Sequence, residues 1–134
     1  MAATDTFHCK VITPEQTVFD GPVSSAVFTA HDGQRGVLRN HAPFTAKLGI
    51  GHVRVETPDG RHMFFIDGGF TQVVDNDLTI LAERAKPQAD IDRAAAEHAL
   101  RDAIAMGGTD DAALTAKARA VACAKAQLDL TDAS

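Results

Sequence analysis

The sequence predicts a β plus α protein, an N-terminal antiparallel β-sandwich followed by a C-terminal antiparallel helical hairpin. Three observations lead there. All seven phenylalanines and all five prolines lie at or before Pro87. The same stretch consists of short apolar runs of period two, punctuated by Gly, Pro, Asn and Asp, which is the pattern of strands joined by tight turns. Beyond Pro87 the period lengthens to about 3.6 residues and alanine dominates, which is the pattern of helices. The expected division is residues 1–86 for the sandwich domain and residues 87–134 for the hairpin domain.

Phe7-His8-Cys9-Lys10-Val11-Ile12 alternates loosely and is stopped by Thr13-Pro14-Glu15, so it reads as a first strand. Thr17-Val18-Phe19 and Val23 through Ala30 continue the pattern, with Asp20-Gly21-Pro22 expected to separate them. In the second of these runs Ser24, Ala26 and Phe28 share one face and Val23, Ser25, Val27 and Thr29 the other, because side chains alternate across a pleated strand. Gly36-Val37-Leu38, Gly49-Ile50, Gly51 through Glu56, Arg61 through Ile66 and Leu78 through Leu81 repeat the theme. Turns are expected at Asp32-Gly33, Pro58-Asp59-Gly60 and Asp75-Asn76-Asp77. Gly68-Gly69, directly after an apolar strand, predicts a bulge or a close backbone approach. Short strands in such succession, without intervening helical pattern, indicate an antiparallel sandwich or barrel.

In the tail, Asp90 or Asp92 can cap a first helix containing Ala95, Ala96, Ala99, Leu100, Ala103 and Ile104, and Gly107-Gly108 stops it. Thr109-Asp110-Asp111 opens a second helix through Leu114, Ala118, Val121 and Leu128. The short connection makes the helices antiparallel. Their larger facing residues are Leu100, Ile104, Leu114, Val121 and Leu128; at roughly 25 cal/mol per Å² of buried apolar surface, so alanine-rich a contact predicts weak docking. The second helix carries Lys117, Arg119 and Lys125 with no acid between Ala112 and Leu128, a local cationic stretch that also fits a solvated outer face.

At 134 residues and 14.2 kDa the chain is sized for one domain with a small appendage. A net charge of -5 offers no general basic field, so nucleic acid is not an expected partner. No run approaches the ~20 apolar residues of a spanning helix, and Met1 through Thr6 has neither a basic start nor an apolar stretch. The expectation is a chain that is neither exported nor inserted in a membrane by itself. Cys9 and Cys123 stand far apart and are expected to be reduced thiols of an intracellular protein.

Catalytic apparatus is hard to find. The six histidines, His8, His31, His41, His52, His62 and His98, form no HxH or HxxxH pair and no CxxC accompanies them, so no metal is expected. Gly49-Ile50-Gly51 lacks the third glycine and following helix of a dinucleotide loop, and no GxxxxGK[ST] occurs. Either cysteine with a histidine could form a nucleophile only with a positioned base and an orienting group, which nothing in the sequence signals.

The string Gly36-Val37-Leu38-Arg39-Asn40-His41-Ala42-Pro43-Phe44, then Gly49, then Phe64-Phe65-Ile66-Asp67-Gly68-Gly69-Phe70, Val73 and Leu78-Thr79-Ile80-Leu81-Ala82 resembles the epsilon subunit of F-type ATP synthase. The resemblance spans about residues 6 to 86 and extends more loosely to the tail. It implies a sandwich of ten short strands bound to a gamma subunit and resting on the polar loops of a c-ring, with a helical hairpin beyond. It also implies a non-catalytic subunit of the rotating central stalk, which couples ion flow to ATP synthesis on the catalytic alpha and beta subunits. Such a chain would lie peripherally at the cytoplasmic face of a bacterial inner membrane, held there by its partners. His31, Asp32, Gly33, Gln34 and Arg35, with His41, Ala42 and Pro43, fall where the family's c-ring-facing end lies. Gln34 stands where an acid is common, and Arg39-Asn40 where a Pro-Gly pair is common.

In bacterial members of that family the hairpin can extend and inhibit ATP hydrolysis, and Lys117, Arg119 and Lys125 are the implied contacts to an acidic segment of beta. Some members hold ATP through a motif like Ile/Leu-Asp-x-x-Arg-Ala. This chain has Ile91-Asp92-Arg93-Ala94-Ala95-Ala96, with alanine at the arginine position, and Arg93 would point about 200° around the helix from it, so ATP binding is expected to be weak or absent. No cofactor is expected. The alternative class is a free-standing, cupin-like β-sandwich that binds metal through histidines.

Overall fold

The computed structural model describes residues 6–132; what the sequence suggests for Met1 through Asp5 and for residues 133–134 lies outside the described residues. Seven strands form one sheet in the order β2-β1-β7-β6-β5-β3-β4: β1 (Phe7–Ile12), β2 (Thr17–Val23), β3 (Ser25–Ala30), β4 (Gly33–Val37), β5 (Phe44–Thr57), β6 (Gly60–Val74) and β7 (Asp77–Pro87). All neighbours pair antiparallel except β1 and β7, which run parallel; the long crossover that parallel pairing requires is supplied by everything between them.

The sheet folds over on itself. Phe19 of β2 and Phe64 of β6 have ring centroids 5.8 Å apart, although the two strands stand three places apart in the sheet order. In a flat sheet that separation would be about 14 Å, at about 4.8 Å per strand. The fold passes through a row of interrupted pairing. β5 and β6 pair from Phe44↔Val73 to Lys47↔Phe70 and again from Ile50↔Asp67 to Thr57↔Gly60, in unchanged register. Between these runs lie Leu48, Gly49, Gly68 and Gly69.

Unchanged register means that Gly68-Gly69 is a close approach and not a bulge. A Cβ on Gly69 would stand 2.0 Å from the Leu81 carbonyl oxygen, and the residue sits at φ +111°. Because β5, β6 and β7 cross the bend unbroken, the chain has seven strands, three of them long, where the resemblance implied ten short ones. Asp20-Gly21-Pro22 also lies inside a strand, and the break comes two residues past Pro22, at Ser24. β2 is an edge strand, where a proline that donates no ladder hydrogen bond is tolerated.

The interior draws on both layers. Val11, Ala26, Phe28, Val53, Val55, Phe64, Ile66, Leu78 and Ile80 are among the buried cluster, so Ala26 and Phe28 mark the core face of β3. At the β6–β7 turn Asp75 and Asn76 both take positive φ, 50° and 63°, the geometry that matches the twist of a two-residue hairpin.

After β7 a 3-10 turn at Gln88–Asp90 leads to α1 (Arg93–Ile104) and α2 (Asp111–Asp132). Asp92 is the cap of α1, accepting from the Ala94 and Ala95 amides at 3.0 and 3.4 Å. Asp110 caps α2, accepting from the Ala113 amide at 2.7 Å. The hairpin lies on the outer face of the β5–β6 half, where Phe65, Cys123 and Leu130 are buried together against Ile50, Met63, Ile91 and Ala126. Ile104 and Leu114, expected between the helices, are 57% and 52% exposed. They flank the link between the helices, and α2 spends its buried positions on Cys123, Ala124 and Leu130.

Candidate functional site

Three surfaces stand out, and the first and third collect the site residues singled out by the sequence. The first is one end of the sheet, where the β3–β4 turn and the β4–β5 loop meet over Phe44. The His41 ring stands edge-on to Phe44 at 5.1 Å, and the Arg35 guanidinium lies 5.8 Å from the centroid of the same ring. Arg35 also pairs with Asp32 at 3.4 Å, and His41 Nδ1 donates to the Ala42 carbonyl oxygen at 2.8 Å. Asn40, at φ +66°, is tied to the β6–β7 turn: its amide donates to Asn76 Oδ1 at 2.6 Å and its side-chain oxygen accepts from Asn76 Nδ2 at 3.2 Å. His31, Asp32, Gly33, Gln34, Arg35, His41, Ala42 and Pro43 are all exposed there, together with Leu38. The structure thus brings the two segments into one polar end, and Phe44 is the residue on which they converge.

The second surface is the outer face of the other half-sheet. Ile12, Leu81, Phe70 and Lys47 form one row across β1, β7, β6 and β5. Phe70 is 57% exposed, Leu81 50% and Val74 40%. Among the described residues nothing covers this face, whereas the opposite outer face lies beneath the hairpin.

The third is the seat of the hairpin. Asp67, with a side chain only 4% exposed, receives two arginines: Arg84 Nε donates to Oδ2 at 3.0 Å and Arg119 Nη2 donates to Oδ1 at 2.8 Å. Arg119 Nη2 also reaches Glu83 Oε2 at 3.1 Å. Arg119 therefore faces the sheet. Lys117 and Lys125 flank an open apolar groove of about 450 Å³ formed with Leu114, Ala118, Val121 and Ala122 on the far side of α2. The three cations of α2 do not share a surface.

At the base of the hairpin, the Gln88 side-chain amide donates to the Leu130 carbonyl at 2.6 Å, and Arg93 pairs with Asp132 and, at 3.9 Å, with Glu97. Ala95 carries no side-chain donor beside them. Burial, with Asp20 nearby, pushes the Cys9 thiol up to about 12, and burial followed by Asp67 raises Cys123 against the opposing pull of Arg84. Neither thiol is poised as a thiolate. Among the described residues no three His, Cys, Asp or Glu side chains gather as a metal set.

Sequence reasoning missed Asp67 and Arg84 as members of a site. The signal was an acid inside the apolar run Phe64-Phe65-Ile66-Asp67, whose ladder partner across β6 and β7 is Arg84.

Residues 6–88 match the family described as the ATP synthase delta/epsilon chain, beta-sandwich domain. The chain is 36% identical over 121 residues to an ATP synthase epsilon chain of Rhodopirellula baltica, covering 90% of this chain and 94% of that one. It is 33% identical to the ATP synthase epsilon chain of Thioalkalivibrio sulfidiphilus, covering 96% and 88%. Among solved structures, a chain of the Euglena gracilis mitochondrial ATP synthase assembly of OSCP, F1 and c-ring superposes with a TM-score of 0.81 at 24% identity, over 90% of this chain and 78% of that one. A chain of the Tetrahymena thermophila mitochondrial ATP synthase central stalk and c-ring gives 0.70 at 15% identity, over 92% and 95%. Those two likenesses establish a shared fold.

Proposed function

The chain belongs to the ATP synthase delta/epsilon family, and from that premise we propose that it is the epsilon subunit of a rotary F-type ATP synthase, a central-stalk part that couples rotation to ATP synthesis. The observation that carries this reading is that kinship to epsilon chains runs through nine-tenths of the chain, sheet and hairpin together. The subunit works by adhesion and shape and leaves bond chemistry to the alpha and beta subunits; its two cysteines, raised by burial, offer no ready thiolate nucleophile.

Partners are assigned to surfaces as follows. The Phe70–Leu81 face binds the gamma subunit, because it is the outer sheet face left bare and it exposes a contiguous apolar row. The polar end around Phe44, with His31, Asp32, Gly33, Gln34, Arg35, His41, Ala42 and Pro43, meets the c-ring loops. The sandwich at residues 1–86 is the coupling unit and the hairpin at residues 87–134 the regulatory one. Lys117 and Lys125 meet an acidic segment of beta when the hairpin extends, and Arg119 joins them only after leaving the sheet. No described helix is long and apolar enough to cross a membrane, and the relatives named above include bacterial chains, in keeping with a peripheral position at the cytoplasmic face of a bacterial inner membrane.

The test is removal of everything after Pro87 in the assembled complex. ATP hydrolysis should rise while the truncated chain still copurifies with gamma; unchanged hydrolysis would remove the regulatory role, and loss of copurification would remove the gamma face from the sandwich.

A further inference from the structure

We propose that Arg119 and Asp67 form the latch that seats α2 on the sheet, with Arg84 as the standing counter-ion and Arg119 as the removable one. Asp67 is the one charged residue buried among the described residues. A buried carboxylate is tolerated only with partners, and here each oxygen has its own arginine. The two arginines differ in attachment. Arg84 is the ladder partner of Asp67 across β6 and β7 and travels with the sheet, whereas Arg119 arrives on α2.

Burial of Asp67 is itself a product of docking. On β6 the side chains of Phe64 and Ile66 point into the core, and those of Phe65 and Asp67 point to the outer face that the hairpin covers. When α2 lifts, Asp67 loses Arg119 but gains water and keeps Arg84. No charge is stranded in either state, so the contact can open and close. The apolar part of the seat is small, with three buried residues, Phe65, Cys123 and Leu130, so an added charge-assisted pair weighs heavily in the balance. Glu83, 64% exposed at its side chain, adds a solvated second arm to Arg119. This latch rests on the reading of a movable hairpin, and it keeps Arg119 Nη2 engaged with Asp67 and Glu83 while the hairpin is seated.

Cys123 is the built-in reporter, since it lies 7% exposed within the seat while Cys9 is fully enclosed in the sandwich core. The experiment is the rate of thiol modification by a disulfide reagent in the isolated full-length chain at neutral pH. Arg119→Gln should speed modification of a single thiol about tenfold, the loss of the charge-assisted contacts to Asp67 and the exposed Glu83, partly screened by water. Lys117→Gln, on the far side of the same helix, should leave the rate within about twofold, which excludes a general charge effect. A Cys123 rate unchanged in Arg119→Gln, or raised equally in Lys117→Gln, overturns the latch.

Should Arg119→Gln expose both thiols, the unsubstituted chain decides. Its Cys123 rate should climb between low salt and about 1 M sodium chloride with Cys9 silent, and a salt-independent rate overturns the proposal. The thiol assay uses the chain alone and the truncation assay uses the assembled complex, so the latch and the functional reading can fail separately.

Discussion

Gly69→Ala tests whether the bend between the two half-sheets is what holds the molecule in shape. An added Cβ would lie 2.0 Å from the Leu81 carbonyl oxygen and 2.9 Å from the Ala82 Cα, on backbone that cannot swing aside, at φ +111°. Gly60→Ala is the matched control, because Gly60 has a similar φ of +133° and nothing within 4 Å of its Cβ position. Both variants meet the strain of positive φ, roughly 1–3 kcal/mol. Only Gly69→Ala also forces β6 and β7 apart, weakening ladder hydrogen bonds in a buried setting for roughly 2–4 kcal/mol more. The difference should lower Tm by about 6–15 °C beyond the control in a chain of this size. Since the sequence contains no Trp or Tyr, thermal and urea unfolding followed by far-UV circular dichroism are the suitable assays. If the two variants unfold within about 0.5 kcal/mol of each other, the spread of ordinary surface substitutions, the close approach is not a structural constraint and the account of the bend is wrong.

Phe70→Asp or Leu81→Asp should leave folding intact and weaken gamma binding about 30-fold each, measured by titration with purified gamma; less than a threefold change would move the interface elsewhere. Calorimetry of the isolated chain should show no micromolar ATP binding, because Ala95 replaces the phosphate-pairing arginine and Arg93 is engaged with Asp132; a micromolar affinity would contradict this. Burial, then Arg54, holds the His52 imidazole below its usual 6.5 against the pull of Asp129, so the unfolded chain takes the proton first. Its contribution is present above about pH 6.5 and lost as pH falls below that, and His52→Gln should flatten this part of the stability profile; parallel profiles would refute it. In native-state hydrogen exchange the amides of α1 and α2 should open at lower free energy than those of β6 and β7, and equal protection would mean that hairpin and sandwich are one cooperative unit.

The strands and helix caps were legible because each rests on a local rule. Period two marks β1, β3 and β7, paired turn residues mark Asp32-Gly33 and Asp75-Asn76, and Asp92 and Asp110 stand where an N-cap carboxylate accepts from the first turn. The passage of β5, β6 and β7 through the bend was not legible. A strand that changes layer keeps its alternation, so glycines at the crossing read as ends. Pro22 misled for the same reason, since edge position is a property of the sheet and not of the tripeptide. The seat of the hairpin was half legible. Lys117 and Arg119, two residues apart, diverge by about 200° on a helix, so while the hairpin is seated only one of them can face the sheet. Which of them faces the sheet depends on Asp67, and nothing in an alanine-rich helix points to an acid fifty residues earlier.

On the proposed reading the chain has two mechanical duties that conflict in a single rigid body: it must carry load without yielding, and its hairpin must detach without unfolding the rest. The chain separates them by the size of its two clusters. Seventeen buried residues hold the sandwich, and three hold the hairpin to it. With about 1.5–3 kcal/mol for each large apolar side chain buried, the sandwich core exceeds the seat several-fold, so the hairpin can leave while the sheet stays folded. What the seat lacks in apolar area it makes up with directional contacts at its two ends, Arg119 to Asp67 at one and Gln88 to the Leu130 carbonyl at the other. Such contacts exchange readily for water, unlike a packed phenylalanine, and that property makes them suited to a joint that has to open.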